Sequence, residues 1–147
     1  MQYKQVGEDP RRFAVIFETG DELLGGLGAF VNEQGIESAS FTAIGALSSV
    51  RLAWFDWEAK QYRVSVELEE QVELVSLVGD VAENDGKPEV HAHVVIARSS
   101  GDALGGHLRH AIIRPTCEVV LTETEEQLRK RVDPESGLPL IRVDAVG

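Results

Sequence analysis

Cysteine occurs once in the 147 residues, at position 117. No disulfide can therefore form within the chain, and a cysteine-rich zinc ribbon is excluded. A lone thiol suits a reducing compartment, where Cys117 reads as a small buried hydrophobe. Long apolar runs are missing as well. Nothing approaches the roughly 20 residues that span a bilayer, and the opening MQYKQVGEDPRRF lacks the apolar core of a secretory signal. The expectation is a cytoplasmic protein with no membrane partner. Positive charge is scarce: 14 Lys and Arg stand against 25 Asp and Glu, for a net charge of -11. Such a field repels nucleic-acid phosphates rather than displacing their counterions, so direct DNA binding is not expected. The one basic knot, Arg129, Lys130 and Arg131, follows Glu123, Glu125 and Glu126 and reads as a solvated segment. Two further absences narrow the chemistry. GGLG and GALSS contain no lysine and lack phosphate-loop spacing, and no Gly-X-Ser-X-Gly elbow exists for a serine nucleophile.

What remains is an ordinary globular composition, 43% hydrophobic and 27% charged. The length fits one domain over residues 1–147, with a core at about 12–123 and an extended C-terminal arm at about 124–147; Pro134, Gly137 and Pro139 interrupt the arm. The hydrophobic pattern changes period along the chain. RFAVIFE, residues 12–18, is a short run of β-formers. In the stretch that follows, Leu23, Leu24, Leu27, Phe30 and Val31 recur at the spacing of an amphipathic helix. Thr19 with Glu22 predicts a capping box, and Gly35 sits where a left-handed residue would end the helix. Gly25, Gly26 and Gly28 each weaken a helix by about 1 kcal/mol relative to alanine, unless they let a strand approach closely. Strand patterns then succeed one another at 39–45, 49–57, 62–68, 72–81, 90–98, 103–110 and 112–122, with no helix between them. That order predicts an α+β fold, an antiparallel sheet or barrel-like core with one main helix near the N-terminus. Trp54 and Trp57 read as core or subunit contact.

All four histidines fall within residues 91–110, after 90 residues with none. In a strand, His91 and His93 point to the same face with Cα atoms about 6.6 Å apart, close enough to converge on one ion. The segment RSSGD gives a tight reversal. With a three-residue loop centred on Ser100 and Gly101 in the left-handed region, paired residues sum to 200; His93 then faces His107, and Arg109 lies opposite His91. A loop with an even number of residues would instead pair His110 with His91 and turn His107 away. Gly105 and Gly106 could shift the register through a bulge. His110 itself reads as a surface or interface residue. Three imidazoles on one hairpin would suit Zn2+ or another divalent first-row ion, with nitrogen ligands at about 2.0–2.1 Å and an open fourth position for a small ligand or substrate. The neutral alternative has the histidines satisfied by hydrogen bonds, with no ion.

IGALSSVRL (44–52), VELVSLVG (72–79), HAH (91–93), GGHL (105–108) and TCEVVL (116–121) resemble, in order, the plants-and-prokaryotes conserved (PPC) domain, long a domain of unknown function. The resemblance covers about residues 12–123. It implies an α+β fold with an antiparallel sheet, a homotrimer, and a metal site formed by His91, His93 and His107. Plant members of the family carry AT-hooks and bind DNA in the nucleus; this acidic chain has no AT-hook. The fold is also similar to that of acetolactate decarboxylase, a zinc enzyme with a His-X-His pair and a later histidine, and this analogy suggests a lyase-like, carbonyl-polarising activity. Such a site needs a proton donor or charge stabiliser, for which Glu73 and Arg109 are the candidates. Three readings compete: a metal-binding protein with a small ligand, a DNA-associated module, and a purely structural trimerisation domain.

Overall fold

The computed structural model describes residues 1–143; the end of the expected arm, residues 144–147, lies outside them. Nine strands and one helix follow in the order β1 (Gln2–Glu8), β2 (Arg11–Glu18), α1 (Leu23–Glu33), β3 (Ala39–Asp56), β4 (Gln61–Leu68), β5 (Val72–Asn84), β6 (Lys87–Ala97), β7 (Ala103–Glu123), β8 (Arg129–Val132) and β9 (Pro139–Arg142). The α+β class holds, with the sheet dominating. β3 and β7 are each one long strand where the sequence predicts two. Register shifts along their shared ladder let both strands bend without breaking. The same length closes a ring. β3 pairs with β5, β5 with β6, β6 with the start of β7, and β7 with β3 again.

The inner face of this ring is apolar. Leu77, Val94, Leu108 and Ile113 are buried there, together with Leu23, Leu27, Phe30 and Val31 of α1. The leucine stripe of the helix therefore faces the sheet, as its periodicity predicts. Its start differs from the predicted capping box. Glu22, not Thr19, is the cap, and its carboxylate accepts from the Leu24 and Gly25 amides. Thr19 stands in the preceding turn, where its hydroxyl reaches the Pro115 carbonyl at 3.4 Å. Gly35 does end the helix, at φ +63°. Gly26 lets β2 come close, since a Cβ there would collide with the Phe17 ring.

Three features go beyond the sequence reading. Residues 2–8 form a strand, although QYKQVGE shows no apolar alternation; β1 is an exposed edge held by its backbone to β2. The arm is not merely extended. It folds into the β8–β9 hairpin, whose turn is held by Asp133 accepting from the Ser136 amide and hydroxyl, with Gly137 at φ +75°. Trp54 and Trp57 are 52% and 47% exposed, so of the two readings, core or subunit contact, the core is ruled out. Cys117 is buried as expected, and burial pushes its thiol up to about 12, away from thiolate chemistry.

Candidate metal centre

The β6–β7 hairpin reverses through residues 99–101, with the Arg98 amide donating to Asp102 and Gly101 at φ +88°. Ala97 pairs with Ala103 and His93 with His107, so paired numbers sum to 200. No bulge disturbs this ladder, and the double glycine has another use. β7 is flanked here by β6 and β3. A Cβ on Gly105 would stand 3.0 Å from the Val94 carbonyl, and one on Gly106 2.9 Å from the Ala53 carbonyl. Bare glycine lets three backbones close up immediately before His107.

His91, His93 and His107 are thereby brought together, each offering a nitrogen within 4.8 Å of the other two. Their ring centroids lie 5.0, 5.1 and 5.4 Å apart. Neighbours hold two of the rings. Asp80, paired with His91 across β5 and β6, places Oδ2 3.1 Å from His91 Nδ1, which leaves Nε2 as the free nitrogen. His107 lies stacked on Tyr62 of β4 at 4.4 Å and 28°. A carboxylate behind an imidazole fixes the tautomer and raises the basicity of the opposite nitrogen, the usual support of a metal-binding histidine. His110 is not part of the group; its Nδ1 lies 3.4 Å from the helix-capping Glu22.

The electrostatics favour neutral rings. Burial, then the neighbouring His91 and His93, lower the His107 pKa to about 4, and burial lowers that of His93 too. Both rings therefore keep a lone pair at neutral pH, which a metal ion requires. His107 Nδ1 is buried without a hydrogen-bond partner among the described residues, an orphan that a bound ion would satisfy. The residues fit a divalent ion of zinc type: three imidazole nitrogens from two paired strands, a carboxylate behind one of them, and fewer than four protein ligands in the cluster.

The two proposed helpers lie far apart. Arg109 borders the same cavity as His91 and His107, about 400 Å³ in volume. It is not paired with His91, because the β6–β7 ladder ends at His93. Leu108 pairs with Leu52 and His110 with Arg51, so Arg109 is the extra residue of a bulge, a device that re-aims a side chain. Its guanidinium lies 5.6 Å from the centre of the Tyr62 ring. Glu73 is elsewhere. It pairs with Ala97 at the other end of β5, seven residues and about 20 Å from Asp80, and borders a separate hollow with Ala46 and Thr116. Within one chain, Glu73 therefore stands apart from the histidine cluster.

Sequence reasoning missed Asp80, Tyr62 and Lys130. The first had a signal: Asp80 is the lone acid in the middle of an otherwise apolar LVGDVA run. Lys130 overturns the reading of the basic knot as solvated. Its side chain is 5% exposed and its ammonium is 2.8 Å from Glu89, which joins the β8–β9 hairpin to β6 beside the histidines. Burial would raise the Glu89 carboxyl, but Lys130 and Asn84 outweigh it and the net shift is downward.

A ringed antiparallel sheet with a histidine cluster on its outer face defines the class, and comparison with known proteins identifies it. Residues 4–125 match the Plants and Prokaryotes Conserved (PCC) domain, and the chain belongs to that family. A candidate DNA-binding protein from Bacteroides thetaiotaomicron superposes with a TM-score of 0.89 at 30% identity, over 96% of each chain. A metal-containing protein from Archaeoglobus fulgidus superposes at 0.83 and 31% identity over 97% of each. A plant- and prokaryote-conserved protein of Pyrococcus horikoshii gives 0.85 and 31% over 99% of this chain and 97% of its own. Acetolactate decarboxylase of Bacillus subtilis shares the fold at a TM-score of 0.56 and 12% identity, over 76% of this chain and 52% of the enzyme. The bifunctional protein GlmU of a Synechococcus species is 30% identical over 130 residues, which make up 86% of this chain and 20% of GlmU; the chain thus spans a fifth of that relative's length.

Proposed function

We propose that this protein binds one divalent first-row ion, of zinc type, through His91, His93 and His107, and presents its open coordination position to a small ligand. The observation that carries the reading is the meeting of three imidazoles, two of them one directly opposed pair on a ladder, with Asp80 behind His91. A bound ion would supply Lewis-acid polarisation of a ligand oxygen. The chain's own residues would do the rest. Asp80 orients His91, Tyr62 holds His107 in plane, and Arg109 offers positive charge at the cavity. Burial raises the Tyr62 pKa, so the phenol stays protonated at neutral pH and can donate. The metal-containing Archaeoglobus relative supports the same reading. Elemental analysis of the purified protein beside H93A and H107A tests it. One equivalent of metal in the parent and a loss in both variants is expected; equal content in all three overturns the site.

The relative described as a candidate DNA-binding protein favours a second reading, a DNA-associated module. The net charge of -11 weighs against a phosphate-binding face. The buried lone thiol agrees with a cytoplasmic setting; no helix among the described residues is long and apolar enough to cross a membrane. For assembly we propose copies of this same chain, in a homotrimer. Ile44, Val75, Val78, Val95 and Val120 are all exposed. Val120, Thr42, Val78 and His93 form one row across four strands, so this apolar surface runs directly up to the histidines.

A further inference from the structure

We infer that the histidine centre takes a small monocarboxylate with a short aliphatic tail, Arg109 selecting the carboxylate and the β8–β9 hairpin forming the wall that selects the tail. This rests on the metal reading above and names the ligand class of that site. The cavity has one wall carrying His91 and His107 and another made by Leu138, Pro139, Leu140 and Ile141 of the hairpin. At about 400 Å³ it is small for a ligand pocket.

Four ionised side chains border it: Asp80, Glu89, Arg109 and Lys130. Three are already committed. Asp80 holds His91, and Glu89 and Lys130 hold each other. Lys130 is spent on anchoring, because its ammonium is buried against Glu89 and carries the hairpin with it. Arg109 is different. Among the described residues it has no carboxylate partner, and its guanidinium lies over the face of Tyr62. A guanidinium offers parallel N–H donors in a planar fork, the shape that a carboxylate accepts in pairs. The acidic and basic side chains around the cavity cancel, so an ion at the histidines would leave the site positive and an anion complementary to it. With one guanidinium free and an apolar wall beside it, the site fits a carboxylate that carries an alkyl group better than inorganic phosphate, which has none.

The apolar wall sets the rest of the ligand. Leu140 is 41% exposed at the cavity although it is a large hydrophobe, and Leu138 and Pro139 flank it partly covered. An alkyl group of two or three carbons would cover that surface while its carboxylate reached Arg109. An oxygen beside the carboxylate would then be free to meet the ion's open position.

The test uses the full chain loaded with Co2+, whose visible absorption reports a change in its ligands. 2-Oxobutanoate, glyoxylate, butanone and inorganic phosphate are titrated separately. 2-Oxobutanoate is expected to shift the cobalt band and to bind at least about tenfold tighter than butanone or phosphate. R109Q should lose about tenfold for the carboxylate while keeping its full equivalent of cobalt. L140D should erase the preference for 2-oxobutanoate over glyoxylate. Equal binding of butanone, or R109Q binding as tightly as the parent, overturns the inference. A cobalt band that no carboxylate moves overturns it too and leaves the metal centre standing, whereas failure to take up cobalt removes both.

Discussion

His93 and His107 face each other as the last pair of the β6–β7 ladder, their rings 5.4 Å apart and nearly perpendicular. Beyond them the two strands part. β6 stays with β5, bringing His91 against Asp80, and β7 stays with β3, where the bulge at Arg109 begins. The centre therefore sits at the fork of a sheet. Two of its histidines are fixed by the hairpin, and the third by a carboxylate on the next strand.

That division of labour makes Asp80 a positioning residue for the His91 ring. Removing its carboxylate frees His91 Nδ1 and allows the ring to turn and change tautomer, while the hairpin is untouched. D80A is expected to bind zinc about 10- to 100-fold more weakly in competition with a chelator. D80N, whose amide oxygen can still accept from Nδ1–H, should lose less. The melting temperature of metal-free D80A should stay near that of the metal-free parent, because the carboxylate pairs only with a half-exposed ring.

The depressed pKa of His107 gives the metal-free protein a direction in pH. An unfolded histidine takes up its proton near pH 6.5, whereas His107 in the fold resists until about 4. Between those values the unfolded state binds more protons, so stability falls as the pH drops through the window and is fully present above it. Thermal melts of metal-free protein should show a declining midpoint from pH 6.5 to 4.5, with a shallower decline in H107Q. Bound metal should be released over the same acid range, since protons compete for the same nitrogens.

How much of this was visible in the sequence depends on whether a signal was local. The hairpin register was legible as one of two alternatives: Gly101 can adopt the left-handed conformation that a three-residue loop needs, and counting from that loop pairs His93 with His107, as the structure does. The helix stripe was legible for the same reason. The setting of the histidines was not, because Asp80 and Tyr62 reach them across strands 11 and 45 positions away in the chain, and no periodicity reports such a meeting. β1 escaped because an edge strand needs only backbone hydrogen bonds and presents no buried face. Lys130 escaped because three successive basic residues look alike in one dimension; only the hairpin buries the middle one.

Gly106 is a position where the histidine cluster and the fold make the same demand. A methyl group there would meet the Ala53 carbonyl at 2.9 Å and Leu52 Cβ at 3.3 Å, both on the central strand β3, which has no room to retreat. G106A is expected to cost about 1–3 kcal/mol in denaturant unfolding. It should also weaken zinc binding by displacing His107, the next residue. G101A, at a loop tip with open space around it, should cost about 1 kcal/mol through its positive φ alone and leave metal affinity nearly intact.

The outer face supplies a prediction about assembly. Val78 is 54% exposed at the centre of the sheet, paired with Thr42 on one side and His93 on the other, and Val120 is exposed beyond Thr42. Monomers seldom leave such a contiguous row of β-branched residues in water, and the apolar row would be covered if copies of the chain packed sheet to sheet. Light scattering of the parent should give the mass of a trimer, about three times 16.1 kDa. V78K and V120K should lower it toward that of one chain, since burying an unpaired ammonium costs more than the contact returns. K4A, on the exposed edge strand β1, should leave the mass unchanged. Because Val78 adjoins His93, zinc affinity measured in V78K also tells whether the neighbouring copy shelters the metal. A drop that accompanies dissociation would place the centre beside the subunit boundary, and unchanged affinity would make each chain's centre complete on its own.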